Sequence, residues 1–240
     1  MSLTLPDYPV IFWVAAVLAM FLAGISKAGL GNGLVVLVTP LLAMTIPISE
    51  AIALLLPLLV IMDILTVYQY RKSFDKKNVL LLIPAGILGV LLGAIFIGLF
   101  NNERVLQLAV GIVALSLVLF QLSRKLIFGA LEKRNPKPIE GVFFGALGGF
   151  TSTLAHAGGP PLTMYLLPQK LPRRIYIGTA AFYFCAVNIT KLIPYAYYGM
   201  FSPKNYLATI ILIPFAFIGV KMGLFLVNRV NDAVFNKVIY

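Results

Sequence analysis

The stretch GGFTSTLAHAGGPP, residues 148–161, interrupts a long apolar run with glycines, prolines and polar side chains. A similar stretch, GISKAGLGNG, occupies residues 24–33. Because lipid offers no hydrogen bonds, irregular backbone at membrane depth is tolerated only against protein or a water-filled cavity. Interrupted segments at corresponding positions in two halves of a chain are typical of the substrate site of a secondary transporter.

Composition places the chain in a membrane. Hydrophobic residues make up 60% of the 240 residues, and charged residues only 11%. A soluble domain is nearer one-quarter charged. The net charge of +11 lies mostly in short loops between apolar stretches, which favours membrane topology over nucleic-acid binding. The lone Cys185 excludes an internal disulfide and a cysteine-based metal cluster.

The two halves of the chain match each other at an ordered series of positions. The matches begin with Gly24 and Gly149, followed by Asp63 and Asn188, both at an offset of 125 residues. Further matches pair Asn78 with Asn205 at an offset of 127, and Gly89, Val90 and Gly93 with Gly219, Val220 and Gly223 at 130. The series predicts a first transmembrane repeat (1–121), a basic cytoplasmic linker (122–138) and a second repeat (139–240) whose last span is cut short.

The distribution of Lys and Arg predicts the orientation. If each half crosses the membrane an odd number of times, one side holds 13 Lys and Arg and the other side only 2. The loops on the basic side are then 71–77, 122–138, 169–174 and 228–231. Four crossings per half give a weaker split, 10 against 5. The positive-inside rule therefore favours an inverted repeat with the N-terminus outside the cell and the linker in the cytoplasm. We expect the membrane to be the bacterial cytoplasmic (inner) membrane.

The fold class predicted is an all-α polytopic membrane protein. Its two inverted repeats would each contain a glycine-broken helix or a re-entrant segment. Five spans per half, or three spans and a re-entrant hairpin, satisfy the charge count equally. The apolar stretches 33–45 and 159–168 are shorter than the roughly 20 residues of a full span, so we expect half-helices or hairpin arms there.

The first broken stretch supplies one half of a candidate anion site. Lys27 lies deep in apolar sequence, where a charge is costly and marks a functional candidate. The alternative is a lysine that snorkels to the interface. Neighbouring glycines let backbone N–H groups approach a ligand, and the short helix that follows would point its N-terminus at it. The predicted substrate-binding residues here are Lys27, Gly29, Gly31, Asn32 and Gly33.

The second broken stretch supplies the other half of the candidate site. Its predicted substrate-binding residues are Thr151, Ser152, His156, Gly158 and Gly159. His156 is the only histidine in the chain, so we expect no metal site around it. As a direct ligand it would hold an anion better when protonated, so affinity would fall as pH rises. The alternative is a histidine that is packed and hydrogen-bonded between helices.

Matched helices supply a candidate coupling group. An inverted repeat brings such helices together, so we expect an ion pair between Asp63 and Lys191, with Asn188 beside it. A stabilising role and a coupling role both fit such a pair. Since the sequence contains no nucleophile–base–acid set, we expect neither an enzyme nor a cofactor.

The broken stretches, the basic linker and the duplication together carry a resemblance to a known family. The chain resembles the TauE/SafE (TSUP) family of sulfite exporters and related permeases over most of its length. The resemblance implies transport of sulfite or an organosulfonate such as sulfoacetate. One departure is that many members have a GxGGG-like element where this chain has Ala157-Gly158-Gly159-Pro160.

The function predicted is secondary transport of a small sulfur-containing oxyanion by alternating access. An anion channel and a non-transporting membrane scaffold are the alternatives. The expected partners are the small anionic substrate and membrane lipid, and no nucleic acid. Proton coupling and a homodimer are left open.

Overall fold

The computed structural model describes residues 8–29, 34–100, 102–131 and 136–229, with the backbone alone for 117, 118 and 120–131. These residues form nine α-helices and no strand, which confirms the all-α class. The helices are α1 (Val10–Gly29), α2 (Val38–Ala43), α3 (Ile48–Tyr70), α4 (Lys76–Leu99), α5 (Glu103–Leu131), α6 (Pro138–Ala155), α7 (Gly159–Leu166), α8 (Arg173–Tyr197) and α9 (Pro203–Arg229).

Five of the helices in the described ranges are long and apolar enough to cross a membrane. They are α1, α3, α4, α8 and α9, which have 20 to 27 residues and mean hydropathies of 1.3 to 2.7. About 20 residues of helix span a hydrocarbon core. The chain is therefore a multi-pass membrane protein. The helices α2 and α7, with 6 and 8 residues, are too short to cross.

The break between α6 and α7 has a clear local cause. His156 adopts a left-handed conformation with a φ of 53°, and its N–H bonds to the carbonyl of Ser152 at 2.9 Å. Pro160 and Pro161 lie in the first turn of α7, where their missing N–H groups cost least. The chain therefore ends one helix and begins another within three residues, and α7 packs against α6.

Glycines bring two pairs of helices into close contact. A Cβ on Gly24 of α1 would overlap the backbone of Gly219 on α9. A Cβ on Gly149 of α6 would likewise overlap the backbone of Gly86 on α4. Small residues allow helix backbones to approach and pack by van der Waals contact, which drives association where lipid is as apolar as protein. The pairs α1–α9 and α4–α6 are the most extensively packed in the structure.

Polar contacts link helix ends at opposite ends of the bundle. At one end, the Asn78 amide donates to Gln169 at 2.8 Å. At the other end, the Tyr8 hydroxyl donates to the Glu50 carboxylate at 2.5 Å and lies 3.2 Å from the side-chain oxygen of Asn205. The N-terminal residues that are described therefore lie at the end opposite to the α3–α4 loop. The side of the membrane on which each end lies stays a prediction.

The linker predicted over 122–138 begins inside a helix. The helix α5 runs to Leu131, so residues 122–131 are helical, and residues 132–135 lie outside the described residues. The end of the second repeat, residues 230–240, also lies outside them. The repeat boundaries and the inverted relation of the two halves stay predictions.

Candidate functional site

Six polar side chains meet in the apolar interior between four helices. Each residue is at most 4% exposed. They are Lys27 on α1, Asp63 on α3, Ser152 on α6, His156 at the α6–α7 break, and Asn188 and Lys191 on α8. Because charged groups are costly away from water, each of them needs partners. We call these six residues the central cluster.

The first part of the central cluster is a compensated ion pair. The Lys27 ammonium donates to the Asp63 carboxylate, and each side chain is only 2% exposed. The Asn188 side-chain amide donates to the other Asp63 oxygen at 2.5 Å. Both carboxylate oxygens are thus bonded and the pair is neutral overall. The buried ammonium also shows that Lys27 does not snorkel to the interface.

The second part of the central cluster is a buried lysine whose direct partners are neutral groups. Lys191, 0% exposed, donates from Nζ to the Ser152 carbonyl and to Ser152 Oγ, both at 3.0 Å. Its Nζ also lies 2.8 Å from His156 Nδ1. Across the described ranges, Lys191 forms no salt bridge with a carboxylate. When it is protonated, Lys191 contributes one positive charge, and no acid among the described residues bonds to it directly.

The prediction of an ion pair between Asp63 and Lys191 is wrong, because Asp63 pairs with Lys27 instead. Asn188 and Lys191 are three residues apart on α8 and so lie on adjacent turns of one face. Asn188 meets α3, whereas Lys191, one turn further along, meets the end of α6. The matched helices do come together, as shown by the Asn188–Asp63 bond, but with the amide rather than the lysine against the acid.

The hydrogen bonds of His156 define its tautomer. Its Nε2 lies 2.9 Å from the Ile52 carbonyl oxygen, which can only accept, so Nε2 carries a hydrogen. Its Nδ1 faces the Lys191 ammonium and therefore acts as the acceptor. Both ring nitrogens are engaged, and the ring is neutral whenever Lys191 is charged. In the observed conformation, His156 therefore matches the alternative interpretation, a histidine that is packed and hydrogen-bonded between helices.

Other predicted binding residues lie away from the central cluster. Thr151 donates to the Leu147 carbonyl at 2.9 Å and lines a separate groove of about 280 Å³ beside Ser116 and Pro160. Gly29 is the last residue of α1 and approaches α9. Since Thr151 and Ser152 are neighbours on a helix, only one of them can face the cluster, and the structure places Ser152 there.

The second break itself contains two predicted glycines. Gly158 packs against the carbonyl of Gly148 in α6, and Gly159 begins α7. A Cβ on Gly158 would also meet the Phe184 ring and the Ser152 side chain, so Gly158 shapes the break beside the cluster. Gly31, Asn32 and Gly33 lie outside the described residues.

Two contributions to the site were missed by sequence reasoning. Ser26 Oγ accepts the N–H of Leu34 at 2.8 Å and so joins the two sides of the first break. Lys191 belongs with Ser152 and His156 rather than with an acid. The available signals were the position of Ser26 inside the broken stretch and the presence of a second lysine deep in an apolar helix.

Comparison with known proteins gives one match of wide coverage. The model of a family described as sulfite exporter TauE/SafE matches residues 16–240. The chain belongs to this family. No match was found among curated proteins, and none among solved structures. The TauE/SafE resemblance in the sequence is thereby confirmed. The family consists of anion exporters in membranes, which is consistent with the expectation that the chain is not an enzyme.

In a TauE/SafE transporter the central cluster offers two kinds of chemistry. Lys27 and Asp63 form a neutral pair that can be opened only by something that replaces one partner. Lys191 and Ser152 offer a cation and a hydroxyl, both of which can donate to an oxyanion. The cluster therefore combines an anion-attracting half with a half that could respond to a cation.

Proposed function

We propose that this protein is a secondary transporter that carries a small sulfur-containing oxyanion, sulfite or an organosulfonate such as sulfoacetate, by alternating access. The observation that supports this most is Lys191, a fully buried lysine whose hydrogen-bond partners are all neutral. A buried ammonium without a counter-ion is costly, and an anion is the ligand that would offset that cost.

The donors around Lys191 suit an oxyanion. In the proposed complex, Lys191 turns from the Ser152 carbonyl toward the anion, and the Ser152 hydroxyl donates to a second oxygen. A hydrogen bond to a charged group contributes roughly 1.5–3 kcal/mol. His156 would orient Lys191 through Nδ1, and its bond to Ile52 fixes the ring. The anion thus exchanges its hydration shell for fixed donors and one positive charge.

Burial of the central cluster favours a carrier over an open pore. Every one of its six residues is nearly inaccessible in this conformation, so an anion can reach Lys191 only after helices move. Polar contacts join helices at both ends of the bundle, Asn78–Gln169 at one and Tyr8–Glu50 at the other. Opening one end at a time would give alternating access.

The glycine contacts support the inverted repeat that such a motion needs. Gly24 and Gly149, matched in the sequence, each lie at a close approach of a helix pair, α1–α9 and α4–α6. Asp63 and Asn188, also matched, touch each other at 2.5 Å, as expected near a pseudo-twofold axis. We propose that the two halves rock about this axis, with the N-terminus outside in the bacterial inner membrane.

Counterflow in proteoliposomes tests the function. Vesicles loaded with unlabelled sulfite or sulfoacetate should transiently accumulate the labelled anion, because a carrier exchanges across the membrane. Lys191→Met should abolish the effect, whereas Ser116→Ala, in the separate groove, should retain it. Flux without stimulation by internal anion would indicate a channel. No flux of either anion, in protein that is folded, would indicate a scaffold.

A further inference from the structure

We propose that Asp63 and Asn188 bind a monovalent coupling cation, a proton or sodium, and that this cation releases Lys27 to bind the anion. The inference rests on the proposed transport function and adds to it the ion that drives transport. It starts from one unusual atom. Asn188 Oδ1 is buried and has no donor among the described residues, although the same side chain donates to Asp63.

A buried carbonyl oxygen without a donor costs roughly 1–3 kcal/mol. The nitrogen of the Asn188 amide faces the Asp63 carboxylate, so a turn of this amide would bring its unbonded Oδ1 beside the carboxylate. Oxygen acceptors beside a carboxylate suit a hard cation or a proton donor. In the observed conformation the Lys27 ammonium donates to Asp63, while Asn188 Oδ1 accepts no hydrogen bond from the described residues.

Competition for Asp63 would couple the two ligands. Lys27 cannot pair fully with Asp63 and with an anion at the same time. A cation that neutralises Asp63 leaves the Lys27 ammonium buried without a counter-charge, which is costly. An anion would then be held between Lys27 and Lys191, and by linkage the anion would strengthen cation binding by the same factor.

Among the described residues, no other acid lies beside Asp63 to take the cation. The groups that face it are Lys27 from α1 and Asn188 from α8, with Lys191 and Cys185 of α8 within electrostatic reach. His156 lies behind Lys191. Within the part of the chain that is described, Asp63 is the one carboxylate of the central cluster. Glu50 lies at the other end of α3 against Tyr8.

The test measures sulfoacetate affinity of the purified full chain between pH 5.5 and 8.5, in sodium and in choline. Sulfoacetate keeps its charge over this range, whereas sulfite does not. We expect the wild-type affinity to rise about tenfold as pH falls if the cation is a proton, or when sodium replaces choline if the cation is sodium. Asp63→Asn, which mimics the neutralised acid, should still bind and should vary less than about twofold. Glu140→Gln, which neutralises an acid in the first turn of α6 away from the central cluster, should behave like wild type.

A measurement on the wild type covers the case in which Asp63→Asn does not fold. Adding sulfoacetate to weakly buffered protein should cause uptake of about one proton per anion, or retention of about one labelled sodium ion. Binding with neither uptake overturns the coupling proposal alone. A pH dependence that persists in Asp63→Asn and vanishes in His156→Gln also overturns it. Absence of binding of both sulfoacetate and sulfite overturns the proposed function as well.

Discussion

The two buried lysines of this protein have opposite surroundings. Lys27, in the first half, is paired with a carboxylate, whereas Lys191, in the second half, is surrounded by a carbonyl, a hydroxyl and an imidazole. The matched positions Asp63 and Asn188 explain the difference, because one half carries an acid where the other carries an amide. The two halves are therefore unequal in charge: in this conformation Lys27 is held by a counter-ion, whereas Lys191 has no acid bonded to it and is available to an anion.

Removing Lys27 should produce the largest effect on stability. In Lys27→Met the Asp63 carboxylate remains buried without its cation, so the free energy of unfolding should fall by about 3–5 kcal/mol. The measurement is unfolding in detergent micelles at fixed pH. The double variant Lys27→Met, Asp63→Asn should recover most of the loss, since it removes both charges of the pair. A single variant as stable as wild type would contradict the ion pair.

Removing Lys191 should show the opposite pattern. In Lys191→Met the anion loses a charge-assisted bond of roughly 1.5–3 kcal/mol, so sulfite or sulfoacetate affinity should fall about tenfold to a hundredfold. Stability should stay within about 1 kcal/mol of wild type, because loss of a buried ammonium offsets the loss of its hydrogen bonds. Binding measurements and unfolding of the same preparation test both statements. A variant that loses stability and keeps affinity would reverse the roles assigned to the two lysines.

The sequence predicts much of this architecture, and the limits of that prediction are physical. The glycines and prolines of residues 148–161 determine the second break, because φ preferences and missing N–H groups act locally. The helices that carry Asp63 and Asn188 were expected to meet because they match in the two halves, and these two side chains do bond to each other. Span lengths follow from the thickness of the membrane.

The rotation of each helix could not be predicted. In a soluble helix an apolar stripe shows which face is buried, but lipid and protein interior are both apolar, so a transmembrane helix lacks that signal. Successive residues point about 100° apart at 3.6 residues per turn. The sequence therefore could not decide between Thr151 and Ser152, or between Lys27 and Lys191 as the partner of Asp63.

His156 separates a positioning role from a titrating role. Gln at this position can accept from Lys191 and donate to Ile52, so His156→Gln should lose only about 1 kcal/mol of anion affinity. Its dependence on pH should match that of wild type, because both ring nitrogens are already bonded. Affinity measured from pH 5.5 to 8.5 in both proteins decides the matter. A profile that varies with pH in wild type and is flat in His156→Gln would identify His156 as the titrating group.

The smallest expected effects distinguish the two neighbours at the end of α6. Ser152→Ala removes the hydroxyl that bonds Lys191, so anion affinity should fall roughly fivefold, equivalent to about 1 kcal/mol. Thr151→Val removes a hydroxyl that bonds the carbonyls of Leu147 and Ala157 and lines the separate groove. Affinity should then change by less than about twofold.

The two variants delete the same chemical group from adjacent residues of one helix, so each is the control for the other. Titration of sulfoacetate against both proteins at a single pH measures the difference. Equal losses would mean that the conformation that binds the anion turns α6 enough to bring Thr151 into the site. A loss in Thr151→Val alone would move the anion from Lys191 to the groove beside α5. The expected result is a loss of affinity in Ser152→Ala alone. It would place the anion on the side of α6 that faces Lys191.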